Sequence, residues 1–129
     1  YGIFEYNMRS LGLWDYITTL SMDSVVAAKE FVDGSIDFLF LDADHRYQQF
    51  KSDLETWLPK MRVGGIICGH DCEGKYTKMS QEGKDAVDSH LTIDYFNGIH
   101  PGVIKGLFEQ FHDDYSVMEN TRIWYKEIK

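Results

Sequence analysis

Residues 36–72 read IDFLFLDADHRYQQFKSDLETWLPKMRVGGIICGHDC, and the way this stretch divides decides the fold. Ile36 to Leu41 is apolar except for Asp37 and stops abruptly at Asp42-Ala43-Asp44-His45. One helix length later Gly64-Gly65 leads into Ile66-Ile67-Cys68, which stops at Gly69-His70-Asp71. Short apolar runs bounded by turn residues read as buried strands. The segment between them carries Tyr47, Phe50, Leu54, Trp57, Leu58 and Met61 at helical steps of three and four. Strand, helix and strand make a right-handed crossover that leaves the two strands parallel. Their carboxyl ends then share one edge, the edge where open α/β sheets bind ligands. Acids and imidazoles from both runs converge there, as expected of an enzyme site.

Outward from this unit, Phe4 to Leu13 is weakly helical and closes at Gly12. Tyr16 to Leu20 reads as a short strand ending in Ser21-Met22-Asp23-Ser24. Asp23 or Ser24 then caps a helix carrying Val25, Val26, Ala28 and Phe31, which ends at the Asp33-Gly34 turn. The helix between the two main strands is expected over 46–61, with Pro59 distorting or ending its last turn. Residues 72–100 are charged and only sparsely apolar, the pattern of a lid, a substrate-binding insertion or a disordered segment. Pro101 opens a further helix with Val103, Ile104, Leu107, Phe108 and Phe111. Residues 115–119 and 122–128 alternate around Asn120-Thr121 as an edge hairpin. The expected sheet joins strands 16–20, 36–41, 63–68 and 122–128, with 115–119 beside the last. Phe38, Leu39, Phe40 and Leu41 are its expected core residues.

A chain of 129 residues is one domain with room for a core, and 43% hydrophobic content with 15% aromatics excludes a disordered chain. A net charge of −8 argues against nucleic acid or an anionic membrane as partner, and no apolar run approaches the roughly 20 residues of a membrane span. Cys68 and Cys72 are too few for a disulfide framework, and Cys68 falls in a buried strand. Reduced thiols and a cytoplasmic location are the expectation. Zinc held by both thiols does not fit a known knuckle spacing. The chain starts at Tyr1 in mid-pattern and reads as a piece of something longer.

The order of these motifs is similar to that of class I S-adenosylmethionine-dependent methyltransferases. The resemblance rests on strand–Asp23-Ser24–helix, Phe38-Leu39-Phe40-Leu41-Asp42-Ala43-Asp44-His45-Arg46-Tyr47, a helix ending in Trp57-Leu58-Pro59, and Gly64-Gly65-Ile66-Ile67-Cys68-Gly69-His70-Asp71. The terminal hairpin with Trp124-Tyr125 completes it. It is closest to the small-molecule O-methyltransferase branch. The implied fold is α/β, a Rossmann-like sheet that is mostly parallel with a C-terminal antiparallel hairpin. Only the carboxyl-terminal portion of that fold is covered. The family's glycine-rich turn after its first strand, and the acid that ends its second, have no counterpart here. Gly64-Gly65 cannot substitute, because that pair precedes a strand instead of joining a strand to a helix.

The resemblance implies methyl transfer from S-adenosylmethionine to a small-molecule hydroxyl acceptor. Asp23, Ser24 and Asp42 are the implied cofactor contacts, the first two at the adenine. Asp42, His70 and Asp71 fall where metal-dependent members hold a divalent ion such as Mg²⁺ or Mn²⁺. A histidine in place of an acid shifts preference toward Mn²⁺, Fe²⁺ or Zn²⁺ and makes His70 a candidate general base. Asp44 and His45, on the loop after the first main strand, are further catalytic candidates. His90, His100 and His112 receive no role. A non-enzymatic reading stands beside this one: an inert or domain-swapped α/β module whose open sheet edge favours a homodimer. Leu41-Asp42-Ala43-Asp44 also resembles the nucleophile strand of haloacid-dehalogenase-like phosphatases, but Arg46 stands where those carry Thr or Val. A Walker-type nucleotide site lacks its glycine-rich loop.

Overall fold

The computed structural model describes residues 1–129. The elements are α1 (Gly2–Ser10), α2 (Ser24–Ala27), β1 (Ile36–Leu41), α3 (Tyr47–Trp57), β2 (Met61–Gly69), α4 (Gln81–Ser89), α5 (Pro101–Phe111), β3 (Ser116–Val117) and β4 (Trp124–Glu127). They build one sheet in the order β1-β2-β4-β3. β1 and β2 run parallel, with Leu39 opposite Ile67 and Leu41 opposite Gly69. β4 is antiparallel to β2 and pairs Trp124 with Gly69, and β3 closes the hairpin. This is the expected α/β class, with a parallel crossover extended by a terminal hairpin.

The β1–β2 ladder contains an irregularity, because Ile36 pairs with Met61 while Phe38 pairs with Ile66. Gly64 absorbs the extra residues at φ +77°, a backbone setting that side-chain-bearing residues rarely adopt. The glycine pair is therefore a bulge device inside a longer strand. β2 begins at Met61, not Val63. The helix before it is correspondingly shorter than expected. α3 stops at Trp57, and Leu58–Lys60 tighten into a single 3₁₀ turn around Pro59.

Two further expectations do not survive. Residues 16–20 form no strand: Trp14–Tyr16 is a 3₁₀ turn, and Ile17 is extended but outside the sheet. A strand exists only as one side of a ladder, and no neighbour is available to this segment. Nor does β1 bury both faces. Leu39 and Leu41 pack beneath α2, α3 and α5, but Phe38 remains 61% exposed and Phe40 44%. α2, α3 and α5 pack on the Leu39–Leu41 side, and Phe38, Phe40, Ile66 and Tyr125 are left exposed.

The core is built on the covered side from Phe50, Leu54, Ile67, Val103, Ile104, Leu107 and Trp124. Trp57 packs separately against Ala27, Ala28 and Phe31, as its helical spacing implies. The segment after β2 contains α4, whose Val87 is fully buried. α3 and α5 approach closely because α5 offers glycines one turn apart. A β-carbon on Gly102 would lie 2.6 Å from the Tyr47 nitrogen and would also strike the His45 carbonyl. One on Gly106 would lie 2.7 Å from Phe50 Cδ1. Gly102→Ala is therefore expected to force the start of α5 away from the loop carrying His45, lowering stability by about 1–3 kcal/mol. Denaturant unfolding of the variant measures this.

A polar clamp on the outer side of the same helix pair links Tyr47 and Lys51 of α3 to Glu109 of α5, at 2.7 Å in both contacts. Partial burial raises the Glu109 carboxyl's pKa, but the hydrogen bonds from Lys51 and Tyr47 outweigh it and hold the group below its ordinary value. A depressed folded-state pKa means the contribution is complete above the unfolded value of about 4.3 and is lost as pH falls through the lower folded value. Glu109→Gln should flatten the acid limb of a stability–pH profile there and leave the neutral limb parallel to wild type.

Candidate active site at the carboxyl edge of the parallel strands

β1 ends at Leu41 and β2 at Gly69, and both chains then turn off the same edge. The His70 N–H still reaches the Leu41 carbonyl at 3.2 Å, so the ladder carries His70 and Asp71 up beside Asp42. Asp71 sits at φ +58°, in the left-handed region that non-glycine residues enter at some cost. Strain of this kind at a strand end concentrates at functional sites. Ligand atoms from Asp42, His70 and Asp71 lie within 4.8 Å of one another. The expected convergence is therefore present, well inside the roughly 8 Å that a shared ion tolerates. Asp42 is exposed, while the Asp71 side chain is only 13% exposed.

Asp71 is the hub. Its Oδ1 lies 3.2 Å from His70 Nδ1, 3.6 Å from His100 Nδ1 and 3.7 Å from the Arg122 guanidinium. Its Oδ2 lies 2.9 Å from His45 Nε2. Burial raises the Asp71 pKa, but the hydrogen bond from His70 and the nearby His100 and His45 rings outweigh it, so the carboxyl lies below its ordinary value. The carboxylate form is favoured, ready to hold a cation or a protonated imidazole.

His45 joins the cluster from the β1–α3 loop. Its Nδ1 reaches Asp94 Oδ1 at 3.1 Å, and its ring packs 4.8 Å from that of His100. Asp44 is engaged within its own loop. It accepts from the Arg46 N–H at 2.9 Å and pairs with the Arg46 guanidinium, which holds its carboxyl below the ordinary range. Its evident work is to shape the turn into α3. A shallow depression of about 460 Å³ opens beside these residues, bounded by Ala43, Asp44, His45, Arg46 and Asp94. A larger hollow between α4 and residues 90–96 shares none of the clustered residues and offers no converging carboxylates beyond Glu82 and Asp85.

Asp23 and Ser24 lie at the start of α2. Asp23 Oδ1 accepts from the Val26 N–H at 3.1 Å, the helix cap expected of it, and its second oxygen remains available. The Ser24 hydroxyl accepts from Trp57 Nε1 at 2.8 Å, tying α2 to α3. Asp53 was not picked out by the sequence. Burial raises its pKa, its hydrogen bond with Ser24 lowers it, and the charges of Asp23 and Asp44 raise it again, with a net upward shift.

His100 and Glu73 are the residues that sequence reasoning missed. Glu73 Oε1 meets His100 Nδ1 at 2.9 Å and its Oε2 accepts from the His100 N–H at 2.9 Å, so one carboxylate grips both ends of the residue. A signal was available. Pro101 marks the first turn of α5, and helices that pack on a parallel sheet start at the edge where its strands end. That places His100 at the site. Both cysteines are free and buried, Cys68 in its strand as expected; burial pushes the Cys72 thiol up to about 11. No helix is long and apolar enough to cross a membrane.

The fold and cluster can be set against known proteins. Solved structures of geranyl diphosphate methyltransferase, one with SAM and one with GPP and sinefungin, match 90% of this chain. Their TM-scores are 0.51 and 0.50, at 12% and 13% identity. At that identity the likeness is one of fold. The chain spans 44% and 40% of those structures. An uncharacterized protein, y4gI, of Sinorhizobium fredii is 36% identical over 47 residues, which are 36% of this chain and 5% of that protein. The family described as methyltransferase domain matches residues 3–72, from α1 through β1, α3 and β2 to the residues just after the strand end. With more than half of its residues matched, and with the crossover and strand-end cluster in place, this chain belongs to the methyltransferase domain family, on the class I fold.

Proposed function

We propose that this chain forms part of an S-adenosylmethionine-dependent methyltransferase that methylates a hydroxyl group of a small molecule. The observation that carries the reading is the convergence of Asp42, His70 and Asp71 at the carboxyl edge of β1 and β2, within 4.8 Å, in a member of this family. The SAM complex of the structural neighbour supports the choice of cofactor.

S-adenosylmethionine supplies a methyl group on a sulfonium, open to in-line displacement by the acceptor oxygen. The free oxygen of Asp23 suits the adenine amino group, and the Ser24 backbone N–H suits a ring nitrogen, since its hydroxyl is committed to Trp57. At the acceptor, His70 is the general base. Its Nδ1 lies against Asp71, which fixes the ring and leaves the other nitrogen to take the hydroxyl proton. The depressed Asp71 carboxyl then stabilises the imidazolium that forms. His45 is the alternative base and Asp42 orients the acceptor. If a divalent ion such as Mg²⁺ or Mn²⁺ were held by Asp42, His70 and Asp71, His70 would be its ligand and the base role would pass to His45, and the ion would lower the hydroxyl pKa and position the oxygen. Two carboxylates and one imidazole fit such an ion, because they leave coordination positions open.

Calorimetry of the full-length protein with S-adenosylmethionine and S-adenosylhomocysteine tests the cofactor, and transfer of labelled methyl to a panel of hydroxyl compounds tests the acceptor. Heat with both cofactors and label in an ether product are expected. Absence of heat with either would overturn the reading. A second reading is favoured by one observation: β1 has a neighbour on only one side, and Phe38 and Phe40 stand exposed on it. In that reading the chain is an inert module that pairs through β1 with a second copy. Light scattering at the dimer mass without cofactor heat supports it.

A further inference from the structure

We propose that His45, Asp71 and His100 bind one divalent transition-metal ion of the zinc class, as a ligand set that shares only Asp71 with the Asp42 and His70 group. The proposal uses the same strand edge but does not depend on methyl transfer. One ligand atom from each of the three residues lies within 4.8 Å of the others. Cis ligands about 2.1 Å from a metal sit about 3 Å apart, and the 2.9 Å separation of His45 Nε2 from Asp71 Oδ2 is of that size. Two imidazoles and one carboxylate, with open positions, form the ligand set that suits zinc, cobalt or iron(II) over magnesium.

Three independent features mark the set as built. Each imidazole is held at Nδ1 by its own carboxylate, His45 by Asp94 at 3.1 Å and His100 by Glu73 at 2.9 Å. An ionised carboxylate only accepts, so each Nδ1 is the donor, the tautomer that leaves the lone pair at Nε2. This outer carboxylate–histidine arrangement is the one that orients metal ligands and raises their basicity. Second, His45 Nε2 is buried and forms no hydrogen bond, although it lies beside Asp71 Oδ2. A buried nitrogen lone pair left without a partner is costly unless something else fills that role. Third, the Asp71 and Glu73 carboxylates share one guanidinium, that of Arg122, which leaves an excess of negative charge that a divalent ion neutralises.

The ligands come from the β1–α3 loop, the end of β2 and the residue before α5, so the ion would tie three segments together. Binding should therefore raise thermal stability as well as register directly. The full-length protein, stripped with chelator, is titrated with Zn²⁺ and Co²⁺ by calorimetry, with Mg²⁺ as the control. One ion per chain is expected, bound at least 100-fold tighter than Mg²⁺. A Zn²⁺ excess of a hundred times Kd should raise Tm by roughly 5–10 °C. His45→Gln and His100→Gln should each weaken Zn²⁺ at least 100-fold, while Asp42→Ala and His70→Gln stay within about threefold of wild type. Asp94→Asn, at an exposed rim position, should weaken it about tenfold by releasing the His45 ring. If His100→Gln fails to fold without metal, His45→Gln and Asp94→Asn decide. Zn²⁺ held no tighter than Mg²⁺ overturns the proposal. So does Zn²⁺ binding that is lost with Asp42 or His70 but kept with His45. Since Zn²⁺ is read without cofactor or acceptor, this outcome and that of the methyl-transfer reading are separable.

Discussion

Asp42→Ala is expected to lower kcat/KM for methyl transfer by about 10²–10³-fold, the effect of removing roughly 3–4 kcal/mol of stabilisation at the reacting oxygen. The same change should barely move Tm. Asp42 is exposed, contributes nothing to the core beneath Leu39 and Leu41, and leaves no cavity when truncated. A split between rate and stability is the signature of a group that works on reactants. Steady-state kinetics and a melting curve on the same preparation measure both sides. Turnover at the wild-type rate would reduce the Asp42 carboxylate to a turn residue and remove it from the site.

Trp124→Ala should do the opposite. Its side chain is fully buried on β4, meets Phe50 edge to face at 6.0 Å, and lies against the backbone of Gly69 at the end of β2. Truncating a buried tryptophan removes its burial and leaves a cavity, costing about 3–5 kcal/mol. For a domain whose whole stability is on the order of 5–15 kcal/mol, that is a large fraction. The Trp124 indole N–H has no partner, so its removal orphans no acceptor and the loss is one of packing. Phe40→Ala is the control. With the ring 44% exposed on the uncovered face, it should cost clearly less than the Trp124 change, despite lying in the most hydrophobic strand of the chain. Equal losses in denaturant titrations would mean that something covers the Phe40 face in solution.

Local patterns carried the crossover. The apolar run at 36–41, the three-and-four spacing of Phe50, Leu54 and Trp57, and the break at His70-Asp71 are short-range features, and each matches an element or its end. Asp23 capping α2 and Pro101 opening α5 are equally local, since both answer the unsatisfied N–H groups of a helix start. Right-handed connection then forced Asp42, His70 and Asp71 to one edge without any knowledge of the packing.

What depended on partners far away in sequence was not legible. Residues 16–20 have strand composition and no strand, because a ladder needs a neighbour and composition does not supply one. Phe38 and Phe40 look like core and lie at the surface, because hydrophobicity demands burial while only the arrangement of helices says which face is covered. His100 and Glu73 are separated from His45 by long stretches of chain and show no motif, yet the start of α5 sets them beside it. The chain's order of strands and caps was written in near-neighbour chemistry. The two-histidine cluster around Asp71 came only from the docking of α5 on α3, where Gly102 lets the backbones close to contact.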